Sequence, residues 1–196
     1  QIFMAFQIEQ ALKEKSVLFA EAGVGTGKTL AYLLPAIAYA RYTGKPALIS
    51  CADETLIEQL VKKGGDIDRL NSLFDLKMDV RLAKSRDQYL CLQRLEGAQK
   101  RSDADFLDDI EFSLPEFVNK TYSMQNTYPY GERSSYPDVT DEEWQQVNYH
   151  PIQNCAACEL RNKCGQTIHR NHYRQATDLV ICSHDFLMEH IWTKET

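Results

Sequence analysis

The chain has 196 residues, enough for one large domain or for one domain with a smaller second one. Its residues are 43% hydrophobic, yet no apolar run approaches the roughly 18 residues that cross a bilayer, so we expect a globular chain without a membrane span. No basic segment followed by an apolar one opens the sequence, so a reducing cytoplasm is the expected location. Six cysteines in that setting indicate metal ligands or buried thiols before disulfides.

The net charge of −6 is unevenly distributed along the chain. Residues 102–150 contain 11 acidic and two basic side chains, a net charge of −9, and the remainder therefore has +3. We expect the acidic run 103–111 to form a solvated face that repels a DNA backbone. The mildly basic remainder leaves room for a nucleic-acid groove without requiring one.

The hydrophobic pattern predicts helices and strands in alternation. In chain order these are a helix over 3–13, a buried strand over 17–20, a helix over 29–41, a strand over 47–51, a helix over 55–63, strands over 80–82 and 179–182, and a last helix capped by Ser183. This order is typical of an α/β fold with a parallel sheet. Residues 84–175 do not continue the alternation, and their interspersed tyrosines, prolines and glycine predict an irregular insertion.

A glycine-rich segment, Ala-Gly-Val-Gly-Thr-Gly-Lys-Thr over 22–29, lies between the predicted strand 17–20 and the following helix. That context is the one a phosphate-binding loop requires, although Ala22 replaces the first glycine of the motif. The candidate nucleotide-binding residues are Gly23, Gly25, Thr26, Gly27, Lys28 and Thr29. Lys28 would neutralise the β- and γ-phosphates and Thr29 would bind Mg²⁺, which makes these two the candidate catalytic residues. A turn that merely caps a strand is the alternative.

Four cysteines are candidate metal ligands, three close together and one far upstream. They are Cys155, Cys158, Cys164 and Cys91. Four thiolates suit either a [4Fe–4S] cluster or tetrahedral zinc. His169 and His172 follow closely enough to complete a zinc site of three cysteines and one histidine without Cys91, so spacing leaves iron–sulfur and zinc both open. Cys51 and Cys182 lie in apolar strand patterns and are interpreted as core thiols.

Several segments resemble, in order, the motifs of one helicase family. Residues 1–4, Gln-Ile-Phe-Met, resemble a glutamine motif, 22–29 resemble motif I, and 49–60 resemble motif Ia. Residues 84–91 resemble a Lys-Gly-Arg-x-Asn-Tyr-x-Cys lead into a first cluster cysteine, with Ser85 and Gln88 as departures. Residues 176–184 resemble an Ala-Asp-x-Val-x-x-Asn-His stretch. Together these segments resemble the iron–sulfur superfamily 2 DNA helicases, the XPD-like group, and within it the bacterial DinG-type proteins.

The resemblance implies a RecA-like α/β P-loop domain with a parallel sheet, interrupted by a mainly helical or irregular iron–sulfur insertion. Residues 1–83 would form the first part of helicase domain 1, 84–175 the iron–sulfur domain, and 176–196 the return to domain 1. The implied cofactors are ATP, Mg²⁺ and a [4Fe–4S] cluster on the four candidate cysteines. Gln1 would read the adenine base.

The candidate nucleic-acid contacts are Ser50, Gln59, Arg86, Tyr89 and Arg174. The first two belong to motif Ia, whose polar side chains the resemblance places on single-stranded DNA phosphates, although Cys51 stands where the family usually has threonine. Arg86 beside Tyr89 suits a phosphate contact with a base-stacking neighbour, and a solvated charge is the alternative there and at Arg94. Arg174 is one of the basic side chains close to the candidate cysteines in sequence. His184 is interpreted as a polar residue at a strand end.

The implied function is an ATP-dependent DNA helicase that moves 5′ to 3′ on single strands, with this chain as its ATP-binding and iron–sulfur part. The 196 residues contain no Asp-Glu-x-His box. A second RecA-like domain with an arginine finger is also expected outside them, so the chain alone should not hydrolyse ATP. One alternative is a zinc-stabilised P-loop ATPase that acts as a nucleotide-dependent switch on protein partners. Another is a helicase relative that has lost unwinding and serves as a structural adaptor.

Overall fold

The computed structural model describes residues 1–101 and 131–193. The chain divides into two compact units. Unit 1 comprises residues 1–82 and 175–196, and unit 2 comprises residues 83–174. In chain order the helices and strands are α1 (Ile2–Glu14), α2 (Lys28–Thr43), β1 (Ala47–Cys51), α3 (Glu54–Val61), α4 (Asp66–Phe74), β2 (Val80–Leu82), α5 (Leu92–Arg101), α6 (Asp141–Val147), α7 (Gly165–Arg174), β3 (Leu179–Ser183) and α8 (His184–Thr193). Within the described ranges, no helix is long and apolar enough to cross a membrane.

Unit 1 is built around a parallel sheet. Among the described residues it has three strands in the order β1-β3-β2, with Ala47 and Val80 both paired to Leu179. The predicted α/β fold with a parallel sheet is therefore confirmed. The core of unit 1 includes fully or nearly buried side chains from helices and strands: Leu33, Ile37, Ile57, Leu60, Ile67, Leu70, Val80, Leu179 and Ile181. Because all three strands are parallel, their carboxyl ends share one edge of the sheet.

Helix α4 was not predicted, and its sequence explains why it forms. Gly65 precedes the helix, and Asp66 and Asp68 lie in the first turn, where the helix dipole favours negative charge. Ile67 and Leu70, three residues apart on one face, are fully buried. This short amphipathic pattern was detectable in the sequence.

The strand predicted over residues 17–20 is wrong. The structure assigns no strand there, and Val17 and Phe19 are 83% and 94% exposed. An extended segment becomes a strand only when a neighbour takes its backbone hydrogen bonds. Among the described residues, no strand pairs with 17–20. The apolar character of residues 17–20 therefore did not predict their burial correctly.

An ionic network with buried carboxylates and an exposed arginine holds together the amino-terminal ends of two neighbouring strands in unit 1. Arg41 donates to both carboxylate oxygens of Asp178, at 2.9 and 3.0 Å, and the backbone N–H of Asp79 donates to the same carboxylate at 2.8 Å. Burial by itself would raise the pKa of Asp79, but hydrogen bonds from Arg81 and Thr177 more than offset this and leave that pKa lowered. The network therefore fixes the start of β2 against that of β3.

Unit 2 has its own apolar core. Its buried members are Leu90, Leu95, Ala98, Val139, Trp144 and Val147, with Tyr136 packed against them. Helix α6 begins with a capping box between Thr140 and Glu143. Among the insertion's tyrosines, Tyr136 packs locally, with its ring centroid 5.8 Å from that of Trp144. The acidic run 103–111 and three of the tyrosines, at 122, 128 and 130, lie outside the described residues.

Candidate nucleotide and metal sites

The glycine-rich segment forms a loop that leads directly into α2. Gly25 and Gly27 have φ values of 78° and 76°, a left-handed conformation that glycine adopts without steric cost. Gly27 is also the N-cap of α2, so the loop ends where the unpaired N–H groups of the helix begin. Glycine at these two positions is therefore what allows the chain to turn backbone N–H groups toward an anion at the start of α2.

Lys28 and Thr26 close this loop on itself. The Lys28 ammonium donates to the carbonyl of Ala22 at 2.6 Å, and the Thr26 hydroxyl donates to the carbonyl of Gly23 at 2.8 Å. An ammonium group has three N–H donors, so two remain for phosphate oxygens once Ala22 is bound. The lysine is thus held in the loop without using up its capacity to bind an anion.

Gln1 lies against the phosphate loop. A Cβ built on Gly27 would come within 1.8 Å of the Gln1 side-chain nitrogen, so any side chain at this position would displace Gln1. The structure therefore brings together the candidate adenine reader and the loop, which are 26 positions apart in the sequence.

Thr29, the candidate Mg²⁺ ligand, is hydrogen-bonded to Tyr32 one turn later in α2. Burial raises the pKa of the Tyr32 phenol, and the hydrogen bond with Thr29 opposes that rise. Charges on Cys51 and Asp66 raise the same pKa. Sequence reasoning did not identify Tyr32 as a neighbour of Thr29.

The two motif Ia candidates lie in unit 1 on either side of a helix start. Ser50 is the next-to-last residue of β1, and its hydroxyl lies 2.7 Å from Nδ1 of His184. Gln59 is exposed on α3, whose first turn is capped by the Asp53 carboxylate accepting from the N–H of Leu56 at 2.8 Å. Gln59 is therefore accessible to a ligand, whereas Ser50 is half-buried and its hydroxyl is already hydrogen-bonded.

The four candidate metal ligands line a single pocket in unit 2. Its lining includes Cys91, Cys155, Cys158 and Cys164, together with leucines at 90, 92 and 160. The upstream Cys91 is held there by its own backbone, since its N–H donates to the carbonyl of Val147 at 2.8 Å. Two segments far apart in sequence thus present four thiols to one apolar cavity. Across the described ranges, however, no group of three or more His, Cys, Asp or Glu side chains meets the geometry for a metal ion.

The cysteine thiols interact electrostatically across this pocket. Burial raises the pKa of the Cys155 thiol, and charge on Cys164 raises it further, whereas Arg86 lowers it. Burial likewise raises the pKa of Cys164, while the backbone N–H groups of Gln166 and Thr167 lower it. Those N–H groups belong to the first turn of α7, so the helix start stabilises a thiolate at Cys164. The donor set of four soft sulfurs in apolar surroundings suits a bound metal or cluster.

His169, one of the two candidate alternative ligands, makes its contacts outside the cysteine pocket. Its Nε2 accepts the backbone N–H of Lys84 at 3.0 Å, and its ring stacks on Tyr89 at a centroid distance of 4.8 Å. Burial, followed by charges on His172 and Lys84, lowers the pKa of His169 to about 3. Because Nε2 accepts from Lys84 in a neutral ring, the one lone pair of the imidazole is occupied, while Nδ1 carries the hydrogen and is buried without a partner among the described residues. As far as the described lining extends, the cysteine pocket includes no histidine.

The remaining nucleic-acid candidates differ in accessibility. Tyr89 is fully buried, so the structure gives its ring a packing role, contrary to the base-stacking hypothesis. Arg86 lies over the ring of Tyr149 with 5.3 Å to the centroid, and its guanidinium donates to the phenol oxygen at 3.2 Å. Arg174 ends α7 and is exposed. Arg94 is not a solvated charge, because it donates to the Asn148 carbonyl at 2.8 Å and to the carbonyl of residue 145 at 2.7 Å.

Comparison with known proteins gives matches over the whole chain. A family model for DEAD/DEAH box helicases matches residues 6–106. "Probable ATP-dependent helicase YpvA" of Bacillus subtilis is 60% identical over 196 residues, all of this chain but 31% of that protein. "ATP-dependent DNA helicase DinG" of Photobacterium profundum is 30% identical over 191 residues, which covers 89% of this chain and 26% of that protein.

A third relative matches a shorter part of the chain. "ATP-dependent DNA helicase YoaA" of Haemophilus influenzae is 38% identical over 96 residues, 49% of this chain and 14% of that protein. The chain therefore spans a third or less of the length of these curated relatives. The matched family region contains the phosphate loop and the first two strands of the parallel sheet. A RecA-like sheet with this loop at the start of α2, matched by that family over half of its residues, makes the chain a member of the DEAD/DEAH box helicase family.

Proposed function

We propose that the chain is the ATP-binding and iron–sulfur part of an ATP-dependent DNA helicase that moves 5′ to 3′ on single strands. The relatives named DinG and YoaA are ATP-dependent DNA helicases by name, and the direction follows from the resemblance to the DinG type. In this proposal residues 84–175 are the iron–sulfur domain and the rest belongs to the RecA-like domain. Single-stranded DNA is the partner.

The nucleotide part of the proposal is supported by the phosphate loop. Gly25 and Gly27 allow the backbone N–H groups to converge, while Lys28 keeps donors available for the phosphates. Thr29 would bind Mg²⁺. Gln1 lies beside the loop and would hydrogen-bond the adenine base. These residues bind and orient ATP, while the proposal assigns hydrolysis to groups outside the 196 residues.

The iron–sulfur part is supported above all by the convergence of the cysteines on one pocket. Cys91 precedes the other three by more than 60 positions, yet it lines the same apolar cavity. Four thiolates are the usual protein ligands of a [4Fe–4S] cluster. When bound, such a cluster supplies a covalent cross-link between the two segments, whose binding energy becomes folding energy. The contacts of His169 with Lys84 and Tyr89, and a described pocket lining that contains neither His169 nor His172, favour ligation by four cysteines over three cysteines and a histidine.

Strand displacement by the full-length protein tests the proposed function. We expect ATP-dependent unwinding of a duplex with a 5′ single-stranded tail and none with a 3′ tail. Lys28→Ala should abolish both nucleotide binding and unwinding, whereas Lys63→Ala, an exposed lysine beyond α3, should leave both intact. Protein that hydrolyses ATP without unwinding either substrate would contradict the proposal and favour a nucleotide-dependent switch.

The isolated 196 residues provide a second test. They should bind ATP weakly and not turn it over, because the arginine finger is expected outside them and alone accelerates hydrolysis by a factor of about 10³ to 10⁵. Steady turnover by this piece that is lost in Lys28→Ala would show that its own residues complete the hydrolytic site.

A further inference from the structure

Ser50 and His184 meet at the carboxyl edge of the parallel sheet. The register pairs Ser50 with Cys182 and Cys51 with Ser183, so the residue after β3 lies beside the end of β1. The Ser50 hydroxyl lies 2.7 Å from His184 Nδ1, although 134 positions separate them in sequence. In open α/β sheets, ligands bind outside the carboxyl ends of the strands. The pair therefore lies where this class of fold binds its ligands.

The Ser50 hydroxyl also lies against Cys182, and the two contacts can be ranked. Burial raises the pKa of Cys182 to about 11, which leaves a neutral thiol at physiological pH. A neutral thiol is a weak hydrogen-bond acceptor, and an imidazole nitrogen is a good one. With the Ser50 hydroxyl donating to Nδ1 of His184, the ring hydrogen is on Nε2.

Nε2 is also a donor in the protonated ring of His184. An imidazolium donates through both nitrogens, with Ser50 then accepting from Nδ1, so Nε2–H is a donor in either charge state. The His184 side chain is exposed, and the described residues provide no acceptor for Nε2. The adjacent acid Asp185 lies one position further along α8, where neighbouring side chains do not face each other.

We propose that His184 binds the single-stranded DNA backbone at this sheet edge, donating Nε2–H to a phosphodiester oxygen, and that Ser50 is a positioning residue that holds the imidazole. This inference rests on the proposed function as a DNA helicase. In this inference Ser50, the serine of motif Ia, does not contact the DNA. It holds His184, which makes the contact. Sequence reasoning missed His184 because no partner was visible near it along the chain.

A double-mutant cycle in the full-length protein tests the inference. The measurement is the affinity for a fluorescent single-stranded oligonucleotide at fixed salt. His184→Ala and Ser50→Ala should each weaken binding about tenfold, because a hydrogen bond to a charged acceptor is lost or misdirected. The double variant should be no weaker than His184→Ala, since Ser50 acts through His184. Losses that multiply to about a hundredfold would contradict the inference, because Ser50 would then touch the DNA independently.

Conservative variants separate the hydrogen bond from folding effects. Ser50→Thr keeps a hydroxyl, and His184→Gln keeps an N–H donor, so both should retain affinity to within about threefold. His190→Ala, in the same helix and stacked on Phe186 at 4.0 Å, should lower the thermal midpoint without changing DNA affinity. ATP affinity should be unchanged throughout. Normal DNA binding by His184→Ala would overturn the inference alone, whereas wild-type protein that binds no DNA would overturn the proposed function and the inference with it.

Discussion

The imidazole of His169 stacks on the fully buried ring of Tyr89, with 4.8 Å between ring centroids. Tyr89 lies two residues before Cys91, and His169 lies five residues after Cys164. The ring nitrogen of His169 also accepts the backbone N–H of Lys84 at 3.0 Å. This contact therefore joins the segment that leads to one proposed cluster ligand with the helix that follows another.

Burial of His169 predicts that unit 2 loses stability in mild acid. Burial, followed by charges on His172 and Lys84, lowers the pKa of His169 in the folded protein from 6.5 to about 3. Between these two pH values the unfolded chain therefore binds a proton at His169 and the folded chain does not. Unfolding free energy should be constant above about pH 6.5 and fall by up to about 1.4 kcal/mol per pH unit below it. Hydrogen exchange of unit 2 between about pH 7.5 and pH 5 measures this.

Two histidine variants separate this effect from other titrating groups. His169→Gln should flatten the pH dependence, whereas His150→Gln, which changes an exposed histidine of the same unit, should preserve it. Equal slopes in the wild type and in His169→Gln would show that another group carries the acid sensitivity.

Loss of a cluster ligand should loosen unit 2 and spare the sheet. Cys91→Ser or Cys158→Ser removes one proposed ligand, so the binding energy that orders the two cysteine segments is lost. Limited proteolysis should cut within unit 2 first. Cys51→Ser, in the buried core of unit 1, should show the reverse pattern. Cleavage of the sheet in Cys158→Ser, with unit 2 still protected, is the outcome that the account does not allow.

Gly27→Ala should damage nucleotide binding through two effects. A left-handed residue other than glycine costs roughly 1–2 kcal/mol. The added Cβ would also lie 1.8 Å from the Gln1 side-chain nitrogen and displace that residue. We expect at least a tenfold loss of ATP affinity in a titration with a fluorescent ATP analogue.

Gly44→Ala is the matched control for that substitution. Its φ is 68°, and a Cβ there meets no atom within 4 Å, so it should lower stability by about 1 kcal/mol and leave ATP affinity unchanged. Gln1→Ala should reduce the preference for ATP over GTP. Equal ATP affinity in Gly27→Ala and Gly44→Ala would show that the contact between Gly27 and Gln1 plays no part in ATP binding.

Two arginines of unit 2 should respond differently to substitution. Arg174 is exposed at the end of α7, and Arg174→Glu should weaken single-stranded DNA binding and lower the salt slope by about 0.7 for the lost phosphate contact. Arg94 donates to carbonyls at residues 145 and 148, so Arg94→Ala should cost about 1–3 kcal/mol of stability with an unchanged salt slope. An unchanged slope in Arg174→Glu would place the DNA path elsewhere.

Local sequence patterns predicted the sheet better than they predicted the sites. Strand β1 was located to the residue, because an apolar run follows Gly44 and Pro46 and is succeeded by a polar helix start. The strand over 17–20 failed because a strand depends on partners that sequence does not name. Burial of Tyr89 and His169 was equally out of reach, since it results from contacts between segments some 80 positions apart.

The candidate sites divide along the same line. Contiguous features, such as the phosphate loop and its glycines, could be located from the sequence because their chemistry depends on neighbours along the chain. The common pocket of the four cysteines, the contact of Gln1 with Gly27 and the pairing of Ser50 with His184 are tertiary facts. For the first two, resemblance to a family supplied the expectation that spacing could not.

Iron and acid-labile sulfide, quantified in protein purified without oxygen, show whether the four cysteines hold a [4Fe–4S] cluster. We expect about four iron atoms and about four sulfides per chain, with broad visible absorbance that is lost in Cys91→Ser. His169→Ala should retain the iron, because the histidine holds the segments without being a ligand. About one zinc per chain with no sulfide, retained in Cys91→Ser and lost in His169→Ala, would contradict the account and establish a zinc site of three cysteines and a histidine.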